Sequence, residues 1–513
     1  MAVDSKHPLY EKYIDTWTKC FDAYEGQHAI KSKGDTYLPK LSGHIADSID
    51  GKTADDRSRG ILQTQTEYQQ YLKRAIYYNY IKKICNGLNE QLFRKDVKLE
   101  YPKDMQQVID NFTHDGKSLK TAMKESNRNI LLQYRDILVL DLPKVSYAEG
   151  PLSQEQKEKE NIRPYAVYYK ANQVINWDYE IINNRLELTR VIIEEIIEEQ
   201  DLDDEFEKNQ ITQYRVMDLG SEENTGKYRI RIFREQDGRM DVFEEMYPIV
   251  NGQHLDYLPC YFLTQKGISD DLDYPMLNDA VDINIAHYIN SADYENAINI
   301  TGSPTPVVIG YDDEGYDEPI SLGSSRALML YGQGADAFYM EYKGQGPSAI
   351  ASAMDKKVDA LSVIASRMLQ NDPKGIESAE TAQIHRSAEQ GLLASMALSL
   401  SEAYEVILYT IADWMGITGE ITVMFNTDYT VDDIDANLLA NLTTARQAGL
   451  ISQYVYFHNL LKGEMIPDDW DIEKENAERA LDMAQQSLLM EGYTEESEDD
   501  EEVEEEEIIE GNE

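Results

Sequence analysis

Apolar residues recur along this chain with two periods, and the switch between them divides it. Over residues 68–93 they fall at Tyr71, Leu72, Ala75, Ile76, Tyr80, Ile81, Ile84 and Cys85, the three-and-four spacing of an amphipathic helix. Residues 8–110 read as mostly helical, and 118–141 as a helix running into a strand-like stretch, DILVLDLP. A charged loop comes next at 148–162, and then the period drops to two. Between 164 and 259 short β-like runs (YAVYY, QVINWDY, LELTRVIIEEI, TQYRVMDL, YRIRIF, MDVFEEMYPI) are separated by turn residues, as in an antiparallel meander.

The second half returns to helical spacing. Residues 277–300 form one helical segment, and 347–370 form another whose apolar face is Ile350, Met354, Val358, Leu361, Ile364 and Met368. Between them, residues 301–343 hold Gly, Pro and the short strands PVVIG, ALMLYG and AFYMEY. Helices of that length reach about 36 Å each, so the β-rich module is expected at the tip of a stalk. Pro373 and Gly375 interrupt the chain because both stop helices. One long helix then spans 377–416 with an expected bend at Gly391, before a strand, EITVMFN, and a helical region at 431–490. The fold class expected is α+β, predominantly helical.

Charge changes the picture more than composition does. The net charge is −47, and residues 491–513 carry fourteen Asp or Glu and no Lys or Arg, which predicts a solvated acidic tail. The rest of the chain is also acidic. Affinity for nucleic acid comes mostly from phosphate neutralisation, so a protein that grips DNA is excluded, while a conduit that lets DNA slide is not. Aromatic content rests on 35 Tyr against 10 Phe, which suits half-wet contacts. No run reaches the eighteen apolar residues of a membrane span, and the opening MAVDSKHPLY lacks a signal-peptide core. Cys20, Cys85 and Cys260 are widely spaced with no CxxC pattern, and are expected to be buried free thiols.

Few motifs carry chemistry. Residues 46–53, with Lys52, fit a relaxed phosphate-loop pattern, but no buried strand precedes them and two Asp lie where phosphates would approach. Gly332, Gln333 and Gly334 imitate part of a dinucleotide fingerprint, yet AFYMEY stands where a helix is required, so a hairpin turn is the better reading. The eight His show no zinc spacing, and the acidic run at 312–318 lacks the alternation of a calcium loop. No Ser/His/Asp or Cys/His set can be assembled. No cofactor, metal or enzymatic activity is expected.

Several strings resemble one family in the order in which they occur. They are Trp17 with GDTYLP (34–39), RPYAVYYKANQVINW (163–177), LNDAVDINIAHYINSADYENA followed by GSPTPVVIG, ESAETAQIHRSAEQGLL, FNTDY (425–429) and LTTARQAGLISQYVYFHNLLKGEMIPDD. Together they resemble the portal proteins, or head–tail connectors, of tailed bacteriophages. The acidic tail departs from the core pattern.

That resemblance implies a wing at 1–275, stem helices at 276–300 and 346–370, a clip at 301–345 and a tunnel loop at 371–379. A long kinked helix at 380–416, a wing strand at 417–430, a crown at 431–490 and the tail at 491–513 complete it. It further implies a homo-oligomeric ring of about twelve subunits at one capsid vertex of the virion, assembled in the host cytoplasm. Double-stranded DNA would pass through without being read, and the ring would meet the major capsid protein, the terminase motor and a head–tail adaptor. Lys356, Lys357, Arg367, Lys374 and Arg386 become candidates for the DNA channel, against the alternative of helix-surface charges paired with Asp355, Asp359 or Glu389. Asn371, Asp372, Pro373 and Gly375 would form the tunnel loop, and Tyr311, Asp312, Asp313, Glu314 and Tyr316 a docking surface on the clip. The rival readings are another capsid or scaffold component, or a nucleotide hydrolase working through Lys52.

Overall fold

The structure, a computed structural model, describes residues 3–40, 65–143, 163–200, 206–220, 226–236, 238–302, 305–309, 336–340, 345–369, 379–427, 436–463 and 473–483, with a few isolated positions besides. Residues 1–429 and 430–513 are two compact units. The first opens with helices α1 (Pro8–Glu25), α2 (Gln27–Ser32), α3 (Gln65–Arg74), α4 (Tyr80–Leu92), α5 (Gln106–Asp110) and α6 (Leu119–Gln133). On α4 the residues Ile81, Ile84, Cys85, Leu88 and Leu92 are buried, the face that the periodicity marks.

The sequence predicts one helix over 68–93, and the structure has two. Helix α3 stops at Arg74 and α4 restarts at Tyr80. Peptide groups freed by the break find partners elsewhere in the chain, which is what makes it tolerable. The Ile76 N–H donates to Ser291 Oγ at 2.9 Å, and the Ser291 hydroxyl donates to the Ile76 carbonyl at 2.8 Å. The Tyr77 N–H donates to Gln27 Oε1 at 3.2 Å, and Asn79 caps α4 by accepting from the Lys82 N–H at 2.9 Å. Gly26, between α1 and α2, has φ +100°, and a Cβ there would lie 2.6 Å from the Asn79 amide nitrogen. Only glycine fits.

The β-rich part is a meander, as the period of two implies. Strands β1 (Lys98–Glu100), β2 (Arg135–Asp141), β3 (Tyr165–Lys170), β4 (Val174–Ile182), β5 (Arg185–Gln200), β6 (Lys208–Leu219), β7 (Tyr228–Gln236) and β8 (Arg239–Met246) come first. The short β9 (Ile249–Val250) and β10 (Gln253–His254) pair with each other, and β11 (Cys260–Thr264) and β12 (Gly267–Ile268) come after them. Strands β4 to β8 form one antiparallel sheet in sequence order. Its first hairpin turns at Asn183 and Asn184, both at positive φ (51° and 61°), the two-residue turn that matches strand twist and that Asn tolerates. A second sheet has the order β12-β11-β2-β3. A cavity of about 200 Å³ between the sheets is lined by Val139, Val167, Tyr169, Met217, Tyr228 and Ile230 among others. In the same core Arg135 is fully buried, its guanidinium carbon 4.0 Å from the ring centre of Trp177, 5.0 Å from Phe262 and 5.2 Å from Trp17.

Late in the first unit, one helix runs from Ala379 to Met415 without interruption at Gly391. Met396, Leu400, Ala403, Tyr404, Ile407, Leu408 and Ile411 are buried, a face with helical spacing. Polar contacts tie this helix down: Tyr261 to Thr410 at 2.8 Å, and Trp414 Nε1–H donating to Tyr257 Oη at 2.9 Å. Strand β15 (Thr422–Met424) then pairs antiparallel with β1. All three cysteines are buried and free, as expected. The second unit contains helices Ala436–Gln447 and Gln453–Lys462, the latter capped by Ser452 accepting from the Val455 N–H. Phe457 packs on Trp470 with ring centres 4.4 Å apart. The acidic tail lies outside the described residues. The chain is of mixed α+β class.

Candidate functional site

Helix α7 (Asn278–Thr301) packs along α8 (Gly346–Leu369). Each lies within one residue of the segment that the periodicity predicts, and α7 begins two residues after the implied stem start. Between them β13 (Thr305–Ile309) pairs antiparallel with β14 (Asp336–Met340), Thr305 opposite Met340. That register brings the C-terminal end of α7 and the N-terminal end of α8 together, so the helices run antiparallel. His287 feels the charges of Lys357 and Asp355, which fits this register, since the two sides stand at similar distances from the hairpin. The result is a stalk of two 24-residue helices, each about 36 Å long, carrying a hairpin in which Phe338 and Tyr339 are exposed.

The stalk is rooted among the N-terminal helices. Ala280, Val281, Asn284, His287, Tyr288, Ser291 and Ala292 of α7 are buried. Lys19 pairs with Asp282, the Tyr71 hydroxyl donates to Asp293 at 2.7 Å, and Tyr77 meets Tyr288 edge-on at 5.9 Å. Beyond Ala292 the helix emerges, and Ile298 and Ile300 are exposed. His287 sits edge-on to Tyr78 and Tyr80, 5.4 and 5.7 Å from their ring centres. Burial, and then the Lys357 charge, lower its pKa against the opposing pull of Asp355. Sequence reasoning missed this polar seam. Its signal was there, in Asn284, His287 and Ser291 recurring at helical spacing among apolar positions. Ser291→Ala takes away the partner of both polar groups of the part-buried Ile76 peptide and is expected to destabilise the first unit by about 1 kcal/mol. Urea unfolding of the purified variant checks this, and Ser291→Thr, which keeps the hydroxyl, should recover part of the loss.

On α8 the face read from the sequence turns inward. Leu361 is buried, and Ile350, Met354, Val358 and Ile364 are half-buried, while Met368 has its side chain outside the described residues. Of the channel candidates, Lys356 is exposed and Lys357 half-buried near His287. Neither makes an ion pair with Asp355 or Asp359, two of the partners that the alternative reading names, and the side chain of the third, Glu389, lies outside the described residues. Arg367 and Arg386 lie on α8 and on the long helix, with side chains outside the described residues. Lys374, the loop residues Asn371, Asp372, Pro373 and Gly375, and the clip residues Tyr311, Asp312, Asp313, Glu314 and Tyr316 all lie outside them, as does the 46–53 segment. Gly334 leads into strand β14, not into the helix that a dinucleotide fingerprint requires.

Among the described residues no group of three or more His, Cys, Asp or Glu could hold a metal ion, and no helix is long and apolar enough to cross a membrane. A family model described as a domain of unknown function, DUF4055, matches residues 275–415, which takes in the stalk and the long helix. No curated protein matches the chain. Among solved structures, a chain from the virion of a native gene transfer agent particle is similar at 11% identity and a TM-score of 0.36, over 75% of this chain and 90% of that one. A chain from the neck of the native particle, computed with C12 symmetry, gives 13% identity, a TM-score of 0.36 and coverage of 75% and 89%. One from the neck of the empty particle, computed with C6 symmetry, gives 12%, 0.35, and 76% and 91%. Likeness of this degree carries no argument about what the chain does.

Proposed function

We propose that this chain is one subunit of a phage-type portal ring, a virion component through which double-stranded DNA enters and leaves a capsid, and that it performs no chemistry of its own. The observation that carries the reading is the order of parts. An α+β body gives rise to an antiparallel two-helix stalk tipped by a hairpin. A long helix with one buried face comes next, then a strand that returns to the body, then a separate helical unit. The sequence resemblance runs through the same parts in the same order. Exposed apolar side chains at the end of the stalk helix α7, Ile298 and Ile300, suit a surface that a neighbouring subunit covers. In a ring, such contacts are heterologous and close by rotation. The ring would join the major capsid protein, the terminase motor and a head–tail adaptor.

Negative-stain electron microscopy of the purified chain tests the reading. Rings of about twelve subunits around a hole of roughly 20 Å, wide enough for a DNA duplex whose grooves such a ring does not read, are expected. Compact closed particles without a hole would sink it.

Repeated around such a ring, the exposed Lys356 becomes a circle of positive charge in an otherwise acidic protein. Contacts of this kind are weak, register-free and screened by salt. Lys356→Glu is expected to weaken binding of a short duplex to purified rings by about threefold or more at 50 mM salt, with the difference gone at 500 mM. Equal binding by the two proteins at low salt would remove Lys356 from the channel.

A further inference from the structure

The segment before α1 is docked on the edge of the five-stranded sheet. The His7 N–H donates to the Ile175 carbonyl at 2.9 Å, and the Ser5 carbonyl accepts from Asn176 Nδ2 at 2.8 Å. Both partners belong to β4, an edge strand. The His7 side chain has two further roles. Its Nδ1 accepts the Leu9 N–H at 3.1 Å and so caps α1. Its ring stacks on Trp177, with centres 4.1 Å apart and planes 23° apart.

The buried Arg135 guanidinium lies 4.0 Å from the centre of the same Trp177 ring. Two groups that close to one ring centre cannot share a face, so imidazole and guanidinium sandwich the indole between them. This arrangement needs a neutral imidazole. A proton on Nδ1 occupies the lone pair that accepts from Leu9 and removes the cap. It also sets a second cation against an indole whose face already carries one.

We propose that His7 is an acid-released latch: when its imidazole takes up a proton, residues 3–7 leave the edge of β4. Around the ring, Arg135 from β2 opposes protonation. Asp178 from β4 favours it, but Asp178 also faces Arg190 of β5 at 3.8 Å. On its own segment stand Asp4, Lys6 and the first-turn Glu11. Burial, and then Arg135, lower the His7 pKa against the pull of Asp178. A histidine lowered in the docked state stabilises docking fully above its ordinary value of about 6.5, and that contribution is lost as the pH falls below it. Release frees the Ile175 carbonyl on a sheet edge, where a competing strand can add. Such a latch would work in a single chain and needs no ring.

Two measurements on the full chain test it. Amide exchange, corrected for the intrinsic effect of pH, should show residues 7–11 losing about tenfold protection between pH 7.5 and 5.0, the scale of one lost cap. His7→Asn keeps a capping acceptor that does not titrate, and should show no such loss. Exchange at the imidazole C2 carbon, read by mass spectrometry, should place the His7 pKa below its ordinary value of about 6.5. Unchanged protection in the native chain, an equal loss in His7→Asn, or a pKa at or above 6.5 would each overturn the latch. If His7→Asn is unprotected at both pH values, the pKa decides.

Discussion

Asp218→Ala is expected to destabilise the first unit by roughly 3 kcal/mol, the scale for breaking a buried ion pair from one side. Asp218, on β6, has a side chain only 6% exposed and serves two arginines of β7. Arg229 grips it with both ends of its fork, Nε to Oδ1 at 2.8 Å and Nη2 to Oδ2 at 3.2 Å, and Arg231 donates to Oδ2 as well. The bond to Asp218 raises the pKa of Arg229 above its ordinary range. Removal of the carboxylate leaves two largely buried guanidinium groups, of which Arg229 keeps the half-exposed Glu245 at 3.3 Å. Desolvation of the stranded charges makes the loss large. Asp218→Asn, which keeps an acceptor oxygen but no charge, should lose about half as much. Urea unfolding followed by circular dichroism gives the comparison, and an alanine variant within about 0.5 kcal/mol of the native chain would show the network to be idle.

The second large effect depends on pH. Asp136 neighbours Arg135 on β2, but the two do not pair, because successive side chains of a strand point to opposite faces. Asp136 is fully buried and accepts a hydrogen bond from Asn129 Nδ2 at 3.1 Å. Burial pushes its pKa up to about 7, against the restraining effects of Ser126, Asn129, Lys170 and Arg128. The folded chain therefore keeps this proton over a range where the unfolded chain, at about 4, has lost it. Stability is expected to fall as the pH rises from about 4 to about 7 and then to level off. Asp136→Asn keeps the acceptor oxygen and removes the titration. It should match the native chain near pH 4.5 and exceed it at pH 8 by on the order of 2–4 kcal/mol. A native-minus-variant difference that stays constant with pH would mean that the carboxyl is ionised throughout.

Local signals carried the stalk and the meander. Both stalk helices begin and end within one residue of the periodicity, because Pro275, Gly302 and Gly346 punctuate them. The five-stranded sheet followed from alternation between turns. The break at residues 75–79 did not, because the groups that satisfy it, Gln27 and Ser291, lie far away in sequence. Strand β1 was missed for the same reason: three residues, KLE, have no strand signal until β15 lies beside them. Nothing local marks Arg135, which stands just before the apolar run at 136–143, as core; Trp17, Trp177 and Phe262 folding around it make it so. At the candidate site, the helical period marked the apolar face of α8, and the exposed position of Lys356 came only with the structure. Which outer face meets DNA is a property of several chains together, and one sequence does not encode it locally.

The pairing of β1 with β15 has a consequence for how the chain is made. Lys98 is matched to Met424 and Glu100 to Thr422, so a ribosome must deliver more than three hundred further residues before this small sheet can close. At about 5–20 residues per second, the early strand waits on the order of 15–60 s for its partner. Helices of the body and the stalk hairpin can form from neighbours within that time, since short-range contacts close first. The last closure captures the whole stalk excursion at once. Nascent chains arrested short of residue 422 should therefore be more open to protease around residues 98–100 than released ones, even where the N-terminal helices are already protected.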